Sequence, residues 1–229
     1  MGSGQWADIL ALMCGRLTQS SKTIDYARML DAVPSMTAKP SYNVAPSQPI
    51  TICRMNGERT LLQVRWGLIP FWAKDTKTGY SMINARAETV ATKPAYRSAF
   101  KKRRCLIPTD GFYEWQARDS GKQPYFIHRE DKQPFALAGL WEHWEKDEQL
   151  IESCTIIVTS ANKVLSPIHD RMPVIIDPEN FQSWLDPERD GNELTGLLVP
   201  HAESGFEAYP ISTAVNKPTN NDPGLIARV

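Results

Sequence analysis

The chain has 229 residues, 26 Lys or Arg against 26 Asp or Glu, 41% hydrophobic and 23% charged residues. That balance fits a soluble globular protein large enough to bury a substantial core, and no apolar run approaches the roughly 18 residues of a membrane-spanning helix. Four widely spaced cysteines, Cys14, Cys53, Cys105 and Cys154, with no C-x-x-C pair, exclude a disulfide frame or a cysteine zinc site and point to reduced thiols in a cytoplasmic setting.

Net neutrality hides an asymmetry. Between Arg59 and Arg104 stand eleven basic residues and two acids, Asp75 and Glu88. A surplus of this kind marks a surface for an anionic ligand, unless folding scatters the charges over a solvated face.

In chain order, residues 1–12 read as a leader, a tag or a mis-assigned start, because Met13-Cys14 has the form of an initiator followed by a small residue. Ile24, Ala27, Leu30 and Val33 form an i, i+3 stripe, so a helix with a Ser or Thr cap is expected up to Pro34. Residues 35–49 read as a loop. Residues 50–55 and 61–66 read as a hairpin about Asn56-Gly57. Further strands are expected at 105–107, 112–115, 125–128, 135–141, 155–159 and 206–211. Asp177-Pro178-Glu179 opens a helix that turns Phe181, Trp184 and Leu185 inward. Many short strands without β-α-β alternation predict one α+β domain over 13–229, with a mixed, largely antiparallel, barrel-like sheet and a few flanking helices.

Nucleotide P-loops, dinucleotide fingerprints, zincin motifs and nucleophile elbows are missing from the sequence, so no cofactor or metal is expected. Four stretches carry chemistry. If Cys14 is the first residue, it offers a free amine with a pKa near 8 and a thiol on adjacent carbons, able to close on an aldehyde as a five-membered ring; otherwise it is one more buried cysteine. Asn84, Arg86 and Glu88 alternate along a strand and share a face; Arg86 suits a phosphate and Asn84 an amine or hydroxyl, or the three are a polar outer face. Glu114 sits among Phe112, Tyr113 and Trp115, surroundings that raise a carboxyl pKa toward acid–base use, with an exposed strand glutamate as the alternative. His169 lies beside Asp170 and Arg171, either as a proton carrier or as a structural imidazole. Trp66, Phe71 and Trp72 fall inside the basic segment, where aromatics among cations suit stacked bases of single-stranded nucleic acid; for Trp66 core packing competes strongly.

The ordered series Met13-Cys14-Gly15-Arg16, Tyr42-Asn43-Val44-Ala45-Pro46, Trp66-Gly67-Leu68-Ile69-Pro70, Ile83-Asn84-Ala85-Arg86-Ala87-Glu88-Thr89, Gly111-Phe112-Tyr113-Glu114-Trp115 and His169-Asp170-Arg171-Met172-Pro173 resembles the motifs of the SOS response-associated peptidase (SRAP) family of abasic-site processing proteins. The resemblance implies a DNA-damage enzyme that crosslinks abasic sites in single-stranded DNA, including sites at single-strand/double-strand junctions, through an N-terminal cysteine as a thiazolidine. It implies Cys14 as nucleophile, Asn84 orienting the amine, Glu114 as acid–base carboxylate and His169 in proton transfer. DNA contacts are implied at Arg16, Asn43, Arg86 and Arg171, with Phe71 and Trp72 stacking or wedging. A lyase side activity, self-reversal, a monomeric state and a place on damaged nucleoid DNA are further expectations. The competing readings are a thiol autopeptidase using Cys14, His169 and Glu114, and a non-catalytic single-strand-binding module.

Overall fold

Strand segments with the two-residue alternation of side-chain direction recur along the chain after Pro49. In the computed structural model, which describes residues 14–229, that alternation becomes two sheets with three short helices. The leader expected at 1–12, and Met13, lie outside the described residues. The strands are β1 (Leu17–Gln19), β2 (Val33–Pro34), β3 (Ser41–Val44), β4 (Pro49–Asn56), β5 (Glu58–Trp66), β6 (Asn84–Arg86), β7 (Arg104–Thr109), β8 (Gly111–Arg118), β9 (Gly121–Arg129), β10 (Phe135–Lys146), β11 (Gln149–Ser160), β12 (Arg171–Pro173), β13 (Ile175–Ile176) and β14 (Phe206–Pro210). The helices are α1 (Thr23–Leu30), α2 (Arg97–Lys102) and α3 (Phe181–Leu185). One α+β domain with a largely antiparallel sheet results, as the sequence predicts.

The larger sheet runs β12-β11-β10-β7-β4-β5-β2, and a parallel pairing of β11 with β5, at Ser153–Arg65 and Cys154–Trp66, joins β5, β4, β7, β10 and β11 into a closed ring. Closure removes the exposed edges that an open sheet would leave. Side chains alternate between two cores. Cys105, Ile107, Leu137 and Ile156 turn toward the second sheet. Leu106, Ala136, Ala138 and Ile157 turn toward the helices, where Phe100, Phe181 and Trp184 cover them. The second sheet is ordered β14-β9-β8-β1-β3. Its other face carries Tyr113, Trp115 and Phe126 under Ile211, Val215 and Leu225 of the C-terminal segment.

Local chemistry corrects several expectations. The first helix ends at Leu30, where Asp31 takes a left-handed φ of 49°, and Val33 pairs in β2 instead of extending the stripe. Neither Ser nor Thr caps that helix: the Ser21 hydroxyl goes to Asp110, and the Thr23 hydroxyl accepts the Ala38 N–H at 3.0 Å. Residues 41–44, expected as loop, form a strand whose buried Asn43 interrupts any apolar pattern. The Asn56-Gly57 hairpin is present, with Gly57 at φ 75°. Asp177-Pro178-Glu179 leads through a 3-10 turn into α3, and Phe181, Trp184 and Leu185 are buried as expected.

The basic surplus does not form one face. The Arg104 guanidinium is buried and donates to the carbonyls of Phe100, Lys101, Trp184, Asp186 and Arg189. Arg103 pairs with the buried Glu142 at 2.7 Å, and Arg59 reaches the Leu30 carbonyl. Three of the eleven cations therefore hold the fold together.

Candidate active site

Cys14 enters the fold just before β1 with φ 43°, a left-handed conformation that a non-glycine residue rarely adopts. The turn directs its backbone nitrogen at Glu114, and the N–H donates to Oε1 at 2.7 Å. Register explains the meeting: β1 pairs antiparallel with β8 through Leu17–Phe112, which brings the chain before Leu17 alongside Glu114. The Glu114 side chain is fully buried, and Tyr113 and Trp115 flank it in sequence.

Burial removes water from the carboxylate and pushes its pKa up to about 7, although hydrogen bonds from the Cys14 thiol and N–H pull it down. Half ionised near neutrality, Glu114 is matched to acid–base exchange. The Cys14 thiol is driven well above its ordinary pKa by burial first and by the Glu114 carboxylate second. It is therefore a thiol in the resting site, and it needs a base before it can act as a nucleophile. Glu114 hydrogen-bonds that thiol as well as the nitrogen.

His169 ends a tight turn that begins at Asn162, whose Oδ1 accepts the N–H groups of Val164 and Leu165. The Arg171 N–H donates to His169 Nδ1 at 3.1 Å. Burial lowers the imidazole pKa, against the pull of Asp170, whose Oδ1 lies 3.0 Å from Nδ1. Asp170 also acts electrostatically on both Cys14 and Glu114, so the turn faces the nucleophile. Asn84 begins β6, which pairs parallel with β11 at Ile156, and the Tyr96 hydroxyl holds the Asn84 carbonyl at 3.1 Å. Cys14 packs in the same buried cluster as Ile83, beside Asn84, and Leu165, in the His169 turn.

The residues expected to touch DNA divide. Arg86 is exposed beside a groove of about 680 Å³, lined also by Ser81, Asn84, Thr89, Thr92, Lys93, Pro94 and Tyr96. Arg171 makes a close ion pair with Glu88. Phe71 and Trp72 stand exposed, 55% and 53%, on a loop braced from below by Trp144, whose indole N–H donates to the Ala73 carbonyl at 2.8 Å. Trp66 is not available for stacking: it is 0% exposed, and its indole N–H donates to the Ile83 carbonyl. Arg16 and Asn43 are also buried, at 3% and 2%. Arg16 donates to Asn43 Oδ1 at 2.9 Å and to the carbonyls of Val215 and Asn216. The Asn43 amide donates to the carbonyls of Val215, Lys217 and Asn220. Both fasten the C-terminal segment, although the buried Arg16 Nε makes no hydrogen bond.

The family described as SOS response associated peptidase (SRAP) matches residues 13–218. The chain belongs to the SRAP family. This SRAP chain is 46% identical over 221 residues to a Bacillus subtilis (strain 168) protein named abasic site processing protein YoqW, covering 93% of this chain and 99% of that one. It is 32% identical to abasic site processing protein YedK of Escherichia coli (strain K12), covering 95% and 100%. It is 34% identical to abasic site processing protein HMCES of Xenopus tropicalis, covering 83% and 67%. A crystal structure of a Bacteroides thetaiotaomicron protein superposes with a TM-score of 0.86 at 28% identity, covering 94% of this chain and all of that one.

Sequence reasoning did not single out four residues that border this candidate site, Trp115, Lys93, Tyr96 and Gln116. Trp115 is fixed by its indole N–H to Asn216 Oδ1 at 2.8 Å, with Arg16 over its ring at 6.0 Å. Lys93 and Tyr96 wall the groove beside Arg86. Gln116 follows Glu114 by two positions in β8, and the strand period alone could have singled it out.

Proposed function

We propose that this protein processes abasic sites in DNA by capturing the ring-opened aldehyde on Cys14 as a thiazolidine. The supporting observation is the 2.7 Å contact between the Cys14 nitrogen and the buried Glu114 carboxylate, which also holds the thiol. A carboxyl group that bonds both groups of one cysteine is placed to serve two successive additions at one carbon.

In the active form Cys14 is the first residue, and its neutral amine adds to the aldehyde carbon. The carbinolamine hydroxyl then leaves as water, protonated by Glu114 or His169, and gives an iminium. The ionised Glu114 takes the thiol proton as sulfur attacks the same carbon, so a C–N and a C–S bond form and one water leaves. Protonation of the ring by Glu114 runs the sequence backward. Stalled at the iminium, the adduct can lose the proton on the carbon next to the iminium carbon and expel the 3′-phosphate from the following carbon, a strand-cleaving β-elimination and so a lyase side reaction. Single-stranded DNA would follow the groove at Arg86 and Lys93 and stack on Phe71 and Trp72.

A second reading rests on the same contact. In a chain that still carries Met13, Glu114 touches the leaving nitrogen of the Met13–Cys14 bond. Thiol attack on the Met13 carbonyl, its proton passing through Glu114 to that nitrogen, would form a C–S bond, break the C–N bond and free the amine; water would then hydrolyse the thioester, releasing residues 1–13 as a carboxylate and restoring the thiol.

The test of capture is Cys14→Ala. With its amine intact this variant should form only a transient adduct that borohydride traps, together with more strand cleavage. A stable crosslink from Cys14→Ala would remove the thiol from the mechanism.

A further inference from the structure

Glu114 and Gln116 are alternate residues of β8, so their side chains leave the strand on the same face. The Gln116 amide is oriented by its surroundings. Its Oε1 accepts Arg118 Nε at 2.9 Å and the Tyr125 hydroxyl at 3.3 Å, which leaves Nε2 to donate to the Pro167 carbonyl at 2.8 Å. Two donors on the oxygen fix which end of the amide is which.

Pro167 stands two residues before His169, and with no N–H its carbonyl is its single backbone polar group. The turn is fastened on its other side by the Asn162 amide to the His201 carbonyl at 3.1 Å and by Lys163 with Glu203 at 3.6 Å. Neither tether reaches β8. We propose that Gln116 is a positioning residue that ties the His169 turn to the strand carrying Glu114, so that imidazole and carboxyl address the same reacting carbon. The inference rests on the capture reaction proposed above and adds a residue that does not touch the substrate.

The chemistry shows why such a tie matters. Loss of water from the carbinolamine and removal of the thiol proton occur at one carbon, and each donor must lie within hydrogen-bond reach of it. A misplacement of about 1 Å in a supporting group costs up to about 100-fold in rate. The turn is short and half exposed, with Leu165 as its buried anchor. Among the described residues, the Gln116 hydrogen bond to the Pro167 carbonyl links β8 to the His169 end of the turn.

Two substitutions test this. Gln116→Met keeps the length but loses the donor, and Gln116→Asn keeps the amide but falls one methylene short of Pro167. Asp170, Arg171 and Lys122, the charged groups that act on His169, are unchanged in both. Each variant should form the crosslink with an abasic single-stranded oligonucleotide about 10- to 100-fold more slowly at unchanged oligonucleotide affinity. In NMR titration of the full chain without DNA, the His169 midpoint should rise toward that of a free imidazole as the turn loosens and hydrates. Folded variants with parental rate and parental His169 midpoint would overturn the proposal, as would a rate loss matched by an equal loss of affinity. If the parent itself forms no crosslink, the capture reading fails, and the His169 titration alone decides whether Gln116 places the imidazole.

Discussion

The backbone nitrogen of Cys14 donates to Glu114 Oε1 at 2.7 Å, across 100 residues of sequence. A buried carboxyl seldom stabilises a fold when its partners are the Cys14 N–H and thiol and the Trp115 N–H, because desolvation of the ionised form outweighs them. Its pKa near 7 records that imbalance. The relationship makes sense as a reactive arrangement held at a cost in stability.

That cost is measurable. The folded-state pKa of Glu114 lies above its unfolded value, so its contribution to stability is full below about pH 4.5 and is lost as pH rises through about 7. Glu114→Gln removes the titration. The variant should exceed the parent in unfolding free energy by about 3 kcal/mol at pH 8, and the difference should vanish near pH 4.5. Denaturant melts across that range check it. The same variant should crosslink and reverse at least about 100-fold more slowly.

Arg16 is expected to behave as a structural residue. Burial without a carboxylate partner depresses its pKa to about 10, and its bonds run to Asn43 and the carbonyls of Val215 and Asn216. Arg16→Ala strands those acceptors and should cost about 3 kcal/mol of stability. Thermal melts should show the loss. A stable Arg16→Ala protein with weakened DNA binding would make Arg16 a DNA contact.

Arg86 and Trp72 should separate by salt dependence. Loss of one phosphate contact flattens the log–log salt slope by about 0.7 for a single strand, so Arg86→Ala should weaken binding and reduce the slope. Trp72→Ala removes stacking worth about 1–3 kcal/mol and should leave the slope alone. Fluorescence titrations at three or more salt concentrations distinguish the two. An unchanged slope in Arg86→Ala would make it a solvated strand residue.

The sequence showed what repeats and what punctuates. The short β-rich runs of β7, β10 and β11, the Asn56-Gly57 turn and the Pro178 helix start were all legible, because each is decided within a few residues. The closure of β11 onto β5 was not, because pairing of Cys154 with Trp66 depends on contacts nearly ninety positions apart. Among the site residues, Glu114 was legible from its aromatic neighbours. The burial of Arg16 and Asn43 was not legible, because a buried polar side chain and an exposed one use the same residue types, and their carbonyl partners near the C-terminus carry no sequence signal. For Trp66 the strand ending at that residue already made core packing the strong competitor, and it is buried while Trp72, behind Pro70, is exposed.

The leader bears on everything else. An acylated Cys14 nitrogen cannot form an imine, so protein that crosslinks should have an intact mass beginning at Cys14. Crosslinking by protein that retains residues 1–13 would eliminate the thiazolidine route.

The most direct measurement mixes the processed protein with an abasic single-stranded oligonucleotide, resolves it by denaturing electrophoresis, and maps the shifted band by peptide mass spectrometry. The account predicts a stable adduct on the peptide that starts at Cys14, with the mass of peptide plus oligonucleotide less one water. An adduct on another residue, or no shifted band from protein whose first residue is Cys14, would contradict it.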